Sequence, residues 1–599
     1  MLRKCAVVAV ALACVLPRST MRGEGVQSTV SAEGVTGLPR DVTSLMSMAG
    51  IWQPVADEHV TAANHGTAVD FFGNLRLHNG REGIVAAAWS FKGDHYSTDA
   101  RLIPTQTALL EQQPDGTLQL ATSRYLRDPS TNGAGSVVIA DFNGDSVDDV
   151  YLASWNEAPN IPASSTAFLS NRTAYDRVSV KDFTYAHGAN LAVVDGRPTV
   201  FTAAYYRAPG YGNAAAYFDG VNDFTVINDT GLVGASSLAV ADFYGNGTHA
   251  AVFGDLSFAP GIPFDRANPG IYLYKLRGLL PEGSPIKVAT PYFDARPEYL
   301  PFPSFTDPTK THVYRIWTDD FNHDQQVDIV AQGMIWNRSD QKTYKDVIQL
   351  LQNDGEYRFR DITDVGNPDY NKDCHPHEYQ PQLRDIDGSG IKTYFFGSPS
   401  FDMSKVPCNY VLVNDGSGRF HVALHETLNA YSEQVWRWLP SRVPPGNSVA
   451  QWPLLRAYQT PNGRVNFLAV ARLATYSSSA GYVNRFAFVN VPVQLDLATQ
   501  FTRPMTVTNQ NGSRRIRTLG GDDMIYASGQ GAATIDGGGG VNTVIYPHPQ
   551  DRYAVTGDAN GSWRVVKVGS AAGDTLLRIQ HVRFGNAPSG RSAVRAAPP

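Results

Sequence analysis

Across residues 136–154, SVVIADFNGDSVDDVYLAS, two short apolar runs flank a loop crowded with acids and amides. Short apolar runs bounded by Gly, Asn and Asp predict strands rather than helices. The outline returns at 313–333 (VYRIWTDDFNHDQQVDIVAQG), 236–255 and 380–398, and with altered loops at 66–89, 189–206 and 452–473. A second hairpin follows many of these loops. Its turns are Asp115-Gly116, Asp219-Gly220, Asp354-Gly355 and Asp415-Gly416, each beside alternating apolar residues, and Asp-Gly between strands is a strong hairpin signal.

Two hairpins per unit make a four-stranded sheet. Such a sheet cannot bury both faces alone, so neighbours must stack, and radial stacking is a β-propeller. The expected fold is all-β: a seven-bladed β-propeller over 50–505. Beyond it the pattern changes. Residues 520–546 are rich in Gly, and Ile525, Ile535 and Val544 recur near every ninth position. That period predicts a small parallel β-roll or β-sandwich-like C-terminal domain over 518–590. A polar linker is expected at 506–517 and a disordered tail at 591–599.

The N-terminus changes the compartment. MLRK followed by CAVVAVALACVLP reads as an export signal within 1–25, with an N-terminal linker over 26–49. The apolar run is too short to span a bilayer, and no later stretch is long enough. A lipoprotein cut at Cys14 and a buried N-terminal segment are the other readings of that stretch. Export implies a secreted, extracellular or periplasmic protein. Cys374 and Cys408 then remain as one disulfide or as two separate buried thiols. Net charge is −6 with no basic block, which gives a nucleic-acid partner no electrostatic support.

Two loops carry candidate metal chemistry. Asp141, Asn143, Asp145 and Asp149 stand at positions 1, 3, 5 and 9, and Asp320, Asn322, Asp324 and Asp328 repeat the spacing. Val147 and Gln326 occupy position 7, where a backbone carbonyl can join. Calcium takes six to eight oxygens at flexible geometry, so each loop could wrap one Ca2+. The alternative is an Asx-rich turn that bonds its own backbone. The loops at Asp242 and Asp385 keep the frame with fewer ligands.

The stretches ADFNGDSVDDVYLA, DDFNHDQQVDIVA, ADFYGNGTHAAVF and NDGEYRF resemble the FG-GAP/VCBS repeats of integrin-α-type propellers. The resemblance implies calcium in the loops and a ligand surface elsewhere on the disc. The stretch GGDDMIYASGQGAATIDGGGGVNTVIY resembles a degenerate form of the RTX-type, hemolysin-like calcium repeats, with Asp523, Ala533 and Asn542 at the acid positions.

Aromatic insertions are the remaining hint of a ligand. Tyr205, Tyr206 and Tyr211, and Trp436 and Trp438, are the candidates, since Tyr and Trp on loops suit sugar faces or protein partners. Inter-blade packing is the competing role for them. No G-x-S-x-G elbow or phosphate-binding loop is present, and DCHPHEYQP lacks the second half of a zinc site. The expected role is binding or adhesion, with a glycan or a cell-surface protein as partner. An extracellular carbohydrate-active enzyme such as a polysaccharide lyase, and a scaffold without a small ligand, are the alternatives.

Overall fold

The computed structural model describes most of 67–585, together with 51–53 and 594–596. The larger segments outside the description are 1–50, 54–66, 93–100, 155–162, 205–213, 255–269, 299–310, 368–380, 397–408, 439–446, 496–504 and 586–593. The chain is all-β with few helices and forms a β-propeller, with six blades among the described residues. Each blade is a four-stranded antiparallel meander, and the first has a short extra strand on its second. Their first strands are Thr67–Arg76, Ser136–Ala140, Ala186–Val194, Leu238–Ala241, Thr311–Asp319 and Gln382–Arg384. First strands of the first five blades lie against one another in turn, so the first strand is the inner edge of the blade.

A further sheet runs Ile51–Gln53, Gly481–Leu495, Val465–Ser477, with Leu454–Gln459 and Asn447–Val449 both pairing with Val465–Ser477. It packs on the first blade through Phe72, Leu110, Tyr458 and Leu468, all buried. Ile51–Gln53 therefore joins strands more than 400 residues later in the chain.

The meander follows from the turn chemistry. Gly116, Gly220, Gly355 and Gly416 have φ of 85°, 91°, 85° and 83°. That left-handed backbone is cheap only without a Cβ, which is why each hairpin ends in Asp-Gly.

Adjacent blades are tied by one repeated aromatic contact. The Phe after the first acid of a loop meets, edge-on, the Phe that opens the fourth strand of the next blade. The pairs are Phe142–Phe224, Phe243–Phe359 and Phe321–Phe420, with ring centroids 5.7, 5.6 and 5.9 Å apart. Two of these contacts carry a hydrogen bond as well. Asn353 Nδ2 donates to the Phe243 carbonyl and Asn414 Nδ2 to the Phe321 carbonyl, each at 2.8 Å. At the corresponding place in the third blade stands Phe218, which has no amide to give.

Past residue 505 the strands alternate between two five-stranded sheets. One holds Thr506–Thr508, Met524–Tyr526 and Thr543–Tyr546 in parallel; the other holds Arg515–Arg517, Thr534–Asp536 and Gly573–Leu577 in parallel. Ile525, Ile535 and Val544 are fully buried between the sheets. Residues 506–517 differ from the expected linker: they contribute the first strand of each sheet, because Val507 and Ile516 continue the buried apolar column. The tight turns explain the glycines. A Cβ at Gly538 would sit 1.8 Å from the Leu519 carbonyl oxygen.

Arg515–Arg517 also bolts these sheets to the propeller. Arg517 N donates to the Asp415 carbonyl at 2.9 Å, and Arg514 N to the His323 carbonyl at 3.0 Å. The Arg517 guanidinium is buried and reaches Thr393 Oγ1 at 3.2 Å, while Arg515 Nη1 donates to the Ser389 carbonyl.

Candidate functional site: the acidic loops and the hub cavity

Four loops between first and second strands share one hydrogen-bond scheme. The carboxylate at position 1 accepts from the backbone N–H at position 6: Asp141 from Ser146 (2.8 Å), Asp242 from Gly247 (2.6 Å), Asp320 from Gln325 (2.9 Å) and Asp385 from Gly390 (2.8 Å). The side chain at position 5 accepts from the N–H at position 7: Asp145, Asn246, Asp324 and Ser389 do so at 2.8–3.1 Å. Position 6 is left-handed in all four, at φ of 69° to 85°. Ser146 and Gln325 adopt it despite a Cβ, at a cost of about 1 kcal/mol or more. The loop path is thus set by Asx-type bonding, including where ligands are missing.

What separates the loops at 141–149 and 320–328 is position 9. Asp149 and Asp328 are fully buried. Asp149 accepts from the N–H of Ser170 at 2.6 Å and of Phe142 at 2.8 Å. Asp328 accepts from the N–H of Asn353 at 2.8 Å and of Phe321 at 3.1 Å. Neither meets a basic side chain among the described residues. Burial pushes the Asp149 carboxyl up to about 6, and burial with neighbouring Asp324 and Asp320 pushes Asp328 well above the carboxylate range. Asp320 rises to about 6 by burial and the nearby Asp324. In the other two loops Ala250 and Thr393 stand here, and the buried charge is gone.

For a calcium ion, the loops at 141–149 and 320–328 supply oxygen donors. Each loop offers the oxygens of positions 1, 3, 5 and 9, and the position-7 carbonyls of Val147 and Gln326 serve no described donor. Five oxygen groups suit calcium with water completing the shell. Yet no three His, Cys, Asp or Glu side chains converge among the described residues. Asp145 turns one oxygen to Ser170 Oγ, Asn143 turns its amide nitrogen to the Ser170 carbonyl, and Asn322 Nδ2 donates to Asp324 at 2.9 Å. Chelation would need these side chains to swing inward.

The hub holds a cavity of about 390 Å3. Its wall includes Phe72 and Asn74 from the first blade, Gln382, Arg384 and Asp385 from the sixth, and Arg456 from the further sheet. The polar groups are fixed by a network. Gln382 clasps the Ala457 backbone, accepting its N–H at 2.6 Å and donating to its carbonyl at 2.9 Å, and also donates to Asn74 Oδ1 at 2.5 Å. Glu82 Oε1 accepts from Asn74 Nδ2 at 2.7 Å and from Arg384 Nη1 at 2.5 Å; its Oε2 accepts from Gln459 N at 2.8 Å. The Arg456 guanidinium lies 5.2 Å above the Phe72 ring, and burial together with Arg384 pulls its pKa down to about 9.

The other expected site residues lie elsewhere. Tyr205, Tyr206 and Tyr211, and Cys374 and Cys408, are outside the described residues. The stretch expected as an aromatic loop is a helix, His425–Trp438. Leu428, Tyr431 and Val435 form its buried stripe, a helical spacing that overrides the loop reading, and Trp436 is half-buried beside it. The side chain of Trp438 is outside the described residues. The hub residues were missed because they come from strands hundreds of residues apart. The one signal was Arg456, a lone charge inside the apolar run PLLRAYQ.

No helix among the described residues is long and apolar enough to cross a membrane. No family model and no curated protein matches the chain. Three solved structures are similar at low level. A BT0996 RGII complex is 7% identical, with TM-score 0.26 over 76% of this chain and 97% of that one. A glycoside hydrolase is 7% identical, with TM-score 0.27 over 76% and 95%. A subtype N11 neuraminidase-like protein of a flat-faced bat isolate from Peru is 9% identical, with TM-score 0.28 over 75% and 95%. At these scores the likenesses carry no argument about function.

Proposed function

We propose that this chain is a calcium-stabilised β-propeller acting as a binding or adhesion protein, with carbohydrate as ligand and the hub cavity as the site. The cavity carries the reading. Its volume of about 390 Å3 falls in the range of ligand pockets, about 300–1,000 Å3. Amide and guanidinium groups held by their own hydrogen bonds line it, and fixed donors and acceptors of this kind suit sugar hydroxyls. In this reading the further sheet at 447–495, closed by Ile51–Gln53, is the seventh blade. The repeats are FG-GAP/VCBS-like, and the sheets after residue 505 are an RTX-like roll whose turns hold no calcium. Asn542 supports the last point: its amide bonds the carbonyls of Gly537 and Arg578 at 2.7 and 3.1 Å, filling the turn. The protein is exported, and Cys374 pairs with Cys408.

Calcium binds at Asp141, Asn143, Asp145, Val147 and Asp149, and at Asp320, Asn322, Asp324, Gln326 and Asp328. The ion supplies the positive charge that Asp149 and Asp328 otherwise lack, and so holds the blades' loops without taking part in chemistry. Removing one charged ligand leaves acids that repel. Metal analysis should therefore find two ions in the wild type and one each in Asp141→Ala and Asp320→Ala. The binding reading is checked on a glycan array with and without calcium. Retention of a glycan class only by calcium-loaded protein is the expected result. Unchanged metal content in both variants ends the calcium assignment, and an empty array ends the carbohydrate one.

A further inference from the structure

We propose that the hub cavity is selective for an acidic sugar, a uronate whose carboxylate is gripped by Arg384 beside Arg456. This deepens the carbohydrate reading and rests on it. Two guanidinium groups reach the same cavity from neighbouring inner strands. Arg384 commits only Nη1, to Glu82 and, at 3.4 Å, to the Ala457 carbonyl. Its Nε and Nη2 meet no protein acceptor among the described residues, and 18% of the side chain remains exposed. Those two nitrogens form one edge of the planar fork, the edge that takes a carboxylate side-on through two parallel hydrogen bonds.

The surroundings favour an anion over a neutral hydroxyl. Among the cavity-lining side chains two are basic and one, Asp385, is acidic. That acid is engaged with its own loop through the Gly390 N–H. Glu82 cannot be swung into the cavity to serve Arg384's free edge, because its two oxygens already hold Asn74, Arg384 and the Gln459 N–H. The clasp of Gln382 on the Ala457 backbone fixes the strand that carries Arg456 relative to the strand that carries Arg384. The fork is therefore preorganised, and little side-chain entropy is lost when a carboxylate docks. Phe72 lies beneath the Arg456 guanidinium at 5.2 Å and backs that side of the charged wall.

The test is calorimetric titration of the full-length calcium-loaded protein with three probes: an oligogalacturonate, the matching neutral galactan oligomer, and inorganic sulfate. Tight binding of the uronate, at least tenfold weaker binding of the neutral oligomer, and competition by sulfate are expected. Arg384→Lys keeps the charge beside Glu82 but loses the fork; it should weaken uronate binding about tenfold while leaving the melting temperature near wild type. A second variant, Arg456→Lys, guards against a folding artefact and should weaken uronate more than sulfate binding. Equal affinity for acidic and neutral oligomers overturns acid selectivity and leaves the carbohydrate reading standing. Sulfate binding without any sugar binding overturns both, leaving a bare anion site. Uronate binding that survives Arg384→Lys unchanged places the carboxylate elsewhere and overturns the assignment to Arg384.

Discussion

Replacing Glu82 with Gln should destabilise the propeller more than any other single change in the hub. Glu82 is mostly buried, with 14% of its side chain exposed, and its ion pair with Arg384 spans the first and sixth blades at 2.5 Å. It also accepts from Asn74 Nδ2 and from the Gln459 N–H, so one carboxylate ties three inner strands. A glutamine keeps one acceptor oxygen and turns an NH2 toward a donor. At least one charge-assisted hydrogen bond is lost, about 1.5–3 kcal/mol. The Arg384 charge then stays half-buried without its counter-ion, and breaking such a pair from one side costs about 3–5 kcal/mol in total. Arg456 lies close enough to add repulsion. Urea unfolding followed by tryptophan fluorescence, in calcium at neutral pH, measures the loss. The decisive comparison is the double variant Glu82→Gln with Arg384→Met, in which no charge is stranded. It should recover most of the loss, because replacing both members of a buried pair is often nearly neutral. A single variant within about 0.5 kcal/mol of wild type, or a double variant no more stable than the single, would refute the reasoning.

Two further outcomes follow from the blades. Phe321→Ala removes a fully buried ring that meets Phe420 edge-on, and should cost about 3–5 kcal/mol in the same unfolding assay; a coupling with Phe420→Ala of about 0.5–1.5 kcal/mol in a double-mutant cycle marks the inter-blade share. Asp346 is fully buried, with one oxygen bonded to Gln332 Nε2 at 3.1 Å and the other unbonded, and burial raises its pKa well above the ordinary carboxylate value. The native state then holds a proton that the unfolded chain has released, so stability falls as pH rises from the unfolded value upward. Asp346→Asn should flatten that fall in melting temperature measured across pH, and a variant with the wild-type slope would assign the dependence to other groups.

Local chemistry was readable from the chain alone. The Asp-Gly turns demand a left-handed residue, the acid-rich loops close on their own backbone, and the apolar column at Ile525, Ile535 and Val544 repeats at a roll period; each depends on neighbours within about ten residues. The strand–loop–strand unit and the propeller followed from counting those signals. Tertiary structure decided the rest. That Val507 and Ile516 extend the roll, turning an expected linker into strands, depends on partners 18 and 19 residues on, Ile525 and Ile535. The helix at 425–438 was hidden because its tryptophans drew attention from the Leu428, Tyr431 and Val435 stripe. The hub lay furthest from view. Asn74, Glu82, Gln382, Arg384 and Arg456 come from four strands spread over more than 380 residues of chain, and only ring closure brings them together. A buried charge in a strand tells that a partner must exist, since desolvation demands one, but sequence distance holds no information about which inner strand will supply it.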